Sequence, residues 1–240
     1  MGSNLIEFIS TGKVRMREPM SGQPITNKST TLRLLRCFTG EWTPWPPIGV
    51  FLIRHADGPI LIDTGASPQC MQAGYFPMLS YLTTVLSELQ LAPEDGIVSQ
   101  LAKLGVKPTD LQAVVLTHLH HDHAGGLEEI VEAAPEVPVY ISASHWDAFG
   151  KHPTFAAVQG YQSGGPDSPE TYFITGDATY SLELLERGEP DGINQDPMTA
   201  FESLQLIKKF SEQQKVVVLP SHDVNTSIIL EEKRQYRAKQ

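Results

Sequence analysis

The sequence predicts a layered α/β fold in a single domain spanning residues 1–240. Three features predict it. Strand-like runs crowd the first third, strands and helices alternate afterwards, and no linker separates two cores. Residues 4–9 and 14–17 flank Ser10-Thr11-Gly12-Lys13 as a hairpin, and 31–37 is a further β-rich run. Residues 49–55 and 60–63 are apolar runs joined across Ala56-Asp57-Gly58-Pro59, where Asp-Gly is a strong hairpin signal. Three prolines and two tryptophans make 41–47 a loop. Its tryptophans either cap a core edge or form an apolar lip over a site.

The next stretch reads as helical. Met78, Tyr81, Leu82, Val85, Leu86 and Leu89 recur at three- and four-residue spacing. Pro93-Glu94-Asp95 opens a second helix with Ile97, Leu101 and Leu104 on one face, and Gly105 stops it. Residues 111–117 are short, β-branched and apolar, as a buried strand should be. A helix over 127–134 and a strand over 137–141 follow. Further on, 171–175 reads as a strand, and 197–210 as a helix with Met198, Phe201, Leu204 and Ile207 inward. Residues 215–219 form a last strand, and 231–240 a charged helix or tail. The least structured part is 150–170, rich in Gly, Pro and Ser.

Composition narrows the function classes. The chain has 240 residues, 40% of them apolar and 19% charged, which suits one globular domain. Eighteen basic residues stand against 28 acidic ones, a net charge of -10. That balance argues against nucleic acid or an anionic membrane surface as partner. Two cysteines are too few for a disulfide framework and fit a reducing compartment. No apolar run approaches a membrane span and no basic-then-apolar leader opens the chain, so a cytoplasmic protein is expected. Met1-Gly2 invites a lipidation reading, but Ile6 stands where that signal wants Ser or Thr. Nothing here sets the oligomeric state.

Of the eight histidines, four fall within six consecutive residues, His118-Leu119-His120-His121-Asp122-His123. They follow the predicted 111–117 strand directly. Alternation at a strand end aims His118 and His120 the same way, and the turn then presents Asp122 and His123. Gly125-Gly126 lets the backbone bend before the next helix. Imidazoles plus a carboxylate are the ligand set for zinc and similar borderline ions, so the loop reads as a metal site.

At this loop the chain resembles a known family. THLHHDHAGG is similar to the H-x-H-x-D-H signature of the metallo-β-lactamase fold superfamily. Leu61-Ile62-Asp63-Thr64-Gly65 resembles the family's early strand-to-loop element. Gly176-Asp177-Ala178 resembles the segment carrying a metal-bridging aspartate, and Pro220-Ser221-His222-Asp223 the one carrying the last histidine ligand. The resemblance implies a four-layer αββα sandwich with the site at one edge of its two sheets. It assigns His118 and His120 to a first metal, Asp122, His123 and His222 to a second, and Asp177 between them, with one or two Zn2+ per chain. Asp63 either orients a ligand imidazole or caps a turn before Gly65. His121 falls at a variable position and reads as non-ligating.

The resemblance departs at one place. The family's third histidine for the first metal, often in a Pro-Gly-His-Thr-Pro-Gly-His run, has no counterpart here. Only His145 and His152 fall in that interval. His145 precedes Trp146 in a short helix and reads as structural, while His152 lies in the Gly-rich stretch, where it could swing in. The interval from 140 to 171 is short by about a β-hairpin relative to the family.

Tyr180, three residues after Asp177, resembles the tyrosine of the N-acyl-homoserine lactonases, whose phenol reaches the substrate carbonyl. The alternative is a core or surface tyrosine. The implied chemistry is a small-molecule reaction: hydroxide, available because the metal lowers the pKa of water to about 7, attacks a lactone or ester carbonyl. Tyr180 polarises that carbonyl, and Asp122 passes a proton to the leaving alkoxide. The Trp42–Trp45 loop and Tyr75-Phe76 are candidate acceptors of an acyl tail. Thioesterase, arylesterase and β-lactamase activities on the same fold are the competing readings, together with a metal-binding protein that has lost catalysis. A nuclease is disfavoured by the missing basic tract, and a flavin-linked oxidoreductase by length.

Overall fold

The structure is a computed structural model that describes residues 6–26, 28–76, 85–147, 161–163, 171–194 and 196–238. Among the described residues are nine strands: β1 (Ile6–Met16), β2 (Pro47–Ile53), β3 (Ile60–Ile62), β4 (Ser87–Gln90), β5 (Ala113–Leu116), β6 (Val139–Ile141), β7 (Tyr161–Ser163), β8 (Thr171–Gly176) and β9 (Val216–Pro220). Packing groups the described residues into two compact units. The first comprises the described residues within Met1–Val14, Pro47–Leu79 and Leu89–Ala157, the second those within Arg15–Pro46, Ser80–Glu88 and Val158–Gln240.

The first unit is built on a mixed sheet ordered β4-β1-β2-β3-β5-β6. β1, β2 and β3 are antiparallel neighbours, and β3, β5 and β6 run parallel. Every residue of β5 (AVVL) is buried, as a continuous apolar run in a parallel sheet requires. Helices Ile97–Lys103 and Leu127–Ala133 bury Ile97, Leu101 and Ile130 against Val50, Leu52, Leu61, Val114 and Leu116. The histidine loop starts one residue beyond β5, at the carboxyl end of a parallel strand, where α/β sheets place ligand sites.

A three-stranded sheet, β7-β8-β9, organises the second unit, with β8 and β9 parallel. Gly176 at the end of β8 pairs with Pro220 at the end of β9, so Asp177 and His222 leave the sheet at the same edge. Helices Leu182–Arg187 and Pro197–Gln213 cover it through Leu185, Leu204 and Ile207.

Several local expectations need correction. The 4–9/14–17 hairpin is one continuous strand. Gly12 (φ 114) absorbs an extra residue in a register shift between Ser10 and Lys13, so the chain bulges and does not reverse. The β-rich run at 31–37 is a helix, Thr30–Cys37. Ser29 caps it by accepting from Leu32 N, and Arg33 and Cys37, one turn apart, form its buried edge. Residues 78–84 of the 78–89 helix lie outside the described residues, and Leu89 belongs to strand β4. Pro93–Asp95 is a separate 3-10 turn before helix Ile97–Lys103. Met198 faces outward at 36% exposure. The helix at this end is Thr226–Glu231, ahead of the expected 231–240 segment, and Tyr236 beyond it is buried, its hydroxyl donating to Glu186 Oε2 at 2.8 Å. Within 150–170 the structure describes only β7, so the shortened hairpin falls mainly outside the described residues.

Candidate metal-binding residues

The first unit supplies a pre-shaped histidine loop. His118 is fully buried, with its Nδ1 3.1 Å from Thr117 Oγ1 and its Nε2 2.9 Å from His120 Nδ1. The His118 and His123 rings lie 4.1 Å apart between centroids. Asp122 and His123 fall in the one-turn helix His121–Ala124, and they offer ligand atoms within 4.8 Å of each other.

Asp63 organises this loop from behind. Its Oδ2 accepts from His123 Nδ1 at 2.8 Å, and its Oδ1 accepts from Thr117 N at 2.8 Å. The Thr117 hydroxyl adds a donor at 2.8 Å to Oδ2. A carboxylate can only accept, so the His123 proton sits on Nδ1 and Nε2 is its ligand-capable nitrogen. Asp63 adopts φ 63, a left-handed conformation unusual for a residue other than glycine. The backbone completes the clasp: Thr64 N donates to His123 O at 2.7 Å, and Gly126 N to Gly65 O at 3.0 Å. Of the two roles open to Asp63, the geometry supports holding the imidazole.

The remaining histidines differ. His121 packs edge-on against Tyr75 and Phe76, with centroids 5.5 and 5.0 Å away, and burial lowers its pKa against the opposing pull of Asp122. His145 is buried, and its Nε2 accepts from Leu119 N at 3.2 Å, so it braces the loop backbone. His152 lies outside the described residues.

The second unit carries the other candidates. His222 Nε2 and Asp177 Oδ1 approach to 3.1 Å with both side chains buried. The Tyr180 ring stacks on His222 at 5.3 Å and 21°. Tyr180, His222 and Asp223 line a cavity of about 660 Å³ together with Pro44 and Pro46. The loop's prolines thus provide apolar wall. Its tryptophans instead hold arginines: the Arg17 guanidinium is 4.0 Å from the Trp42 ring centroid, and that of Arg15 is 4.6 Å from Trp45.

The donor chemistry fits a divalent metal. Ligand bonds of about 2.0–2.1 Å in a tetrahedron set neighbouring ligand atoms roughly 3.3 Å apart. The 2.9 Å between His118 and His120 nitrogens, and the 3.1 Å between His222 and Asp177, come close to that spacing. Thr117 and Asp223 make site contacts that sequence reasoning did not single out; their only signal was adjacency to His118 and His222.

Comparison with known proteins agrees with this chemistry. Residues 44–169 match the model of the Metallo-beta-lactamase superfamily. An N-acyl homoserine lactonase of Bacillus thuringiensis is 27% identical over 207 residues, covering 74% of this chain and 82% of that protein. The N-acyl homoserine lactonase AiiB of Agrobacterium fabrum is 40% identical over 83 residues, 34% of this chain and 29% of that protein. Among solved structures, an N-acyl homoserine lactone hydrolase with N-hexanoyl-L-homoserine at its catalytic metal center is similar with TM-score 0.67 at 21% identity. That likeness covers 99% of this chain and 98% of the other. AidC, a dizinc quorum-quenching lactonase, is similar with TM-score 0.58 at 15% identity, over 91% of this chain and 87% of its own. These likenesses show the expected α/β sandwich fold.

Proposed function

The chain belongs to the metallo-beta-lactamase superfamily, and on that premise we propose that it is a zinc-dependent lactonase opening N-acyl-homoserine-lactone-like rings or related esters. Such a reaction in the cytoplasm would consume a quorum signal. The observation that carries the reading is the stacking of Tyr180 on His222 at the wall of a 660 Å³ cavity beside Asp177. His118 and His120 would hold one metal, and Asp122, His123 and His222 the other, with Asp177 shared. When bound, a divalent cation there supplies Lewis acidity and lowers the pKa of water to about 7.

The chain's own residues do the rest. Asp63 keeps the His123 ring oriented with its proton on Nδ1. Asp122 accepts a proton and returns it to the leaving alkoxide. The Tyr180 hydroxyl donates to the carbonyl oxygen as negative charge develops there. The cavity walls around Pro44 and Pro46 receive the acyl group.

One observation favours a second reading, a metal-binding protein with impaired catalysis. The sequence lacks the Pro-Gly-His-Thr-Pro-Gly-His run that supplies the family's third histidine. Metal analysis of purified protein, followed by a panel of lactones, thioesters, aryl esters and β-lactams, separates the two. About two ions per chain with lactone opening is the expected result. Less than one ion and no turnover on the panel would overturn the enzyme reading, and turnover confined to another bond class would reassign the substrate. Asp177→Asn and His123→Ala should each lose metal and activity. Tyr180→Phe should keep its metal and lose roughly 10²–10³ in kcat.

A further inference from the structure

Asp223 joins the loop carrying His222 to the segment carrying Tyr180. Its Oδ1 accepts from Asn225 N at 2.9 Å and Asn225 Nδ2 at 3.2 Å, which folds its own loop into a tight Asx turn. Its Oδ2 reaches a distant partner, Leu182 N, at 2.9 Å. Asp223 is only 6% exposed, so this charge-assisted bond works with little competition from water.

Both ends of that bond are held. On one side, Thr226 N donates to Asp223 O at 3.0 Å, and the Thr226 hydroxyl donates to Pro220 O at 2.6 Å. The His222 loop is thereby closed on the end of β9. On the other side, Leu182 is the first residue of helix Leu182–Arg187, whose cap Ser181 accepts from Leu184 N. Tyr180 immediately precedes that cap, and its ring lies on His222 at 5.3 Å. Stacking alone lets one ring slide over the other. The Asp223–Leu182 bond adds a second point of attachment, which sets where along His222 the phenol comes to rest.

We propose that Asp223 is a positioning residue for Tyr180, holding the phenol in register with His222. The proposal rests on the reading of Tyr180 and His222 as site residues. Asp223 lines the same cavity, and in this proposal it acts on Tyr180 through the backbone. Its effect passes through the Leu182 amide and the two residues before it.

The test uses the full-length, metal-loaded protein and four variants. Asp223→Ala removes the acceptor. Leu182→Pro removes the donor at a first helical position, where proline is tolerated, and Ser181 before it is already extended at φ -156 and ψ 161. Asp223→Asn keeps one oxygen, able to serve Leu182 N or Asn225 N but not both. Asn225→Ala trims only the bond inside the loop. Three quantities are read: metal per chain, the ring signal of Tyr180 in ¹³C-tyrosine-labelled protein (assigned with Tyr180→Phe), and kcat and KM on a lactone.

Asp223→Ala and Leu182→Pro should keep their metal, move the Tyr180 ring signal, and lower kcat about 10-fold or more with KM changed less than about 2-fold. Asp223→Asn should fall between wild type and Asp223→Ala, and Asn225→Ala should match wild type. An unmoved ring signal with unchanged kcat in Leu182→Pro and Asp223→Asn overturns the proposal. So does metal loss in Asp223→Ala while Leu182→Pro behaves as wild type, since Asp223 would then serve His222 alone. If the wild-type protein opens no lactone, the functional reading fails, and the ring signal still decides the positioning role. If Asp223→Ala does not fold, the other two variants carry the test.

Discussion

The Asp63 carboxylate holds the His123 imidazole, Oδ2 to Nδ1 at 2.8 Å, and neither side chain reaches solvent. The same carboxylate takes the amide and hydroxyl of Thr117, the residue before His118. One buried anion thus orients the start and the end of the histidine loop.

Replacing it by alanine strands several buried donors at once. Asp63→Ala should lower metal affinity about 10- to 100-fold, the usual cost of losing a partner behind a ligand histidine. Global stability should fall by roughly 3–5 kcal/mol. Metal titration and urea unfolding check the two effects separately. Wild-type affinity in this variant would show that the His123 ring is held some other way.

Gly65 closes the clasp from the other side. It sits at φ 67, and a Cβ there would come 2.6 Å from Thr11 Cβ, with the Thr11 hydroxyl nearer still. Thr11 is fully buried and cannot swing into water. Gly65→Ala should therefore cost about 1–2 kcal/mol for the left-handed backbone and about 1–3 more for overpacking. Gly74 is a matched control, with φ 86 and nothing within 4 Å of the point a Cβ would occupy. Gly74→Ala should cost only the backbone part. Equal losses in the two variants would mean that Thr11 yields.

Arg33 staples the second unit. The residue is 1% exposed, and its guanidinium donates to the carbonyls of Pro24, Pro190 and Asp191 at 3.1, 2.8 and 2.7 Å. Burial pulls its pKa down, while nearby Asp191 pushes it back up. Arg33→Ala should destabilise by about 3–5 kcal/mol. Lysine should not rescue, because an ammonium lacks the planar fork that reaches several carbonyls together. Thermal unfolding of the two variants measures this, and a lysine variant as stable as wild type would refute the staple.

Burial raises both thiols, Cys37 and Cys70, to about 11 from a usual 9.0. A pKa raised on folding means that the folded state binds the proton more tightly than the unfolded chain. The associated stability is complete below pH 9.0 and is lost as pH climbs toward about 11. At pH 8 a thiol reagent should label neither cysteine in the native protein and both in denaturant. Rapid native labelling at the unfolded rate would contradict the burial.

Much of this was legible in the chain itself. Strands β2, β3, β5, β8 and β9 announce themselves as short apolar runs because parallel or central strands bury both faces. The histidine loop is legible because its ligand types stand side by side behind such a strand. Thr30–Cys37 misled because two threonines suggest a strand, whereas a capping serine and a buried Arg33-Cys37 edge make it a helix. The Ser10–Lys13 stretch misled because a glycine in a polar tetrapeptide serves a bulge as readily as a turn.

The amino-acid order alone therefore gave the layered α/β class through local periodicity and the His118–His123 candidates through adjacency, while Asp177 and His222 came from the family resemblance. Only tertiary structure decided how those residues are held. Asp63 reaches His123, Asp223 reaches Leu182, and Arg33 reaches Pro190 across separations of 60, 41 and 157 residues. A hydrogen bond over such a distance forms only when two elements have already packed, and it leaves no pattern in the sequence on either side.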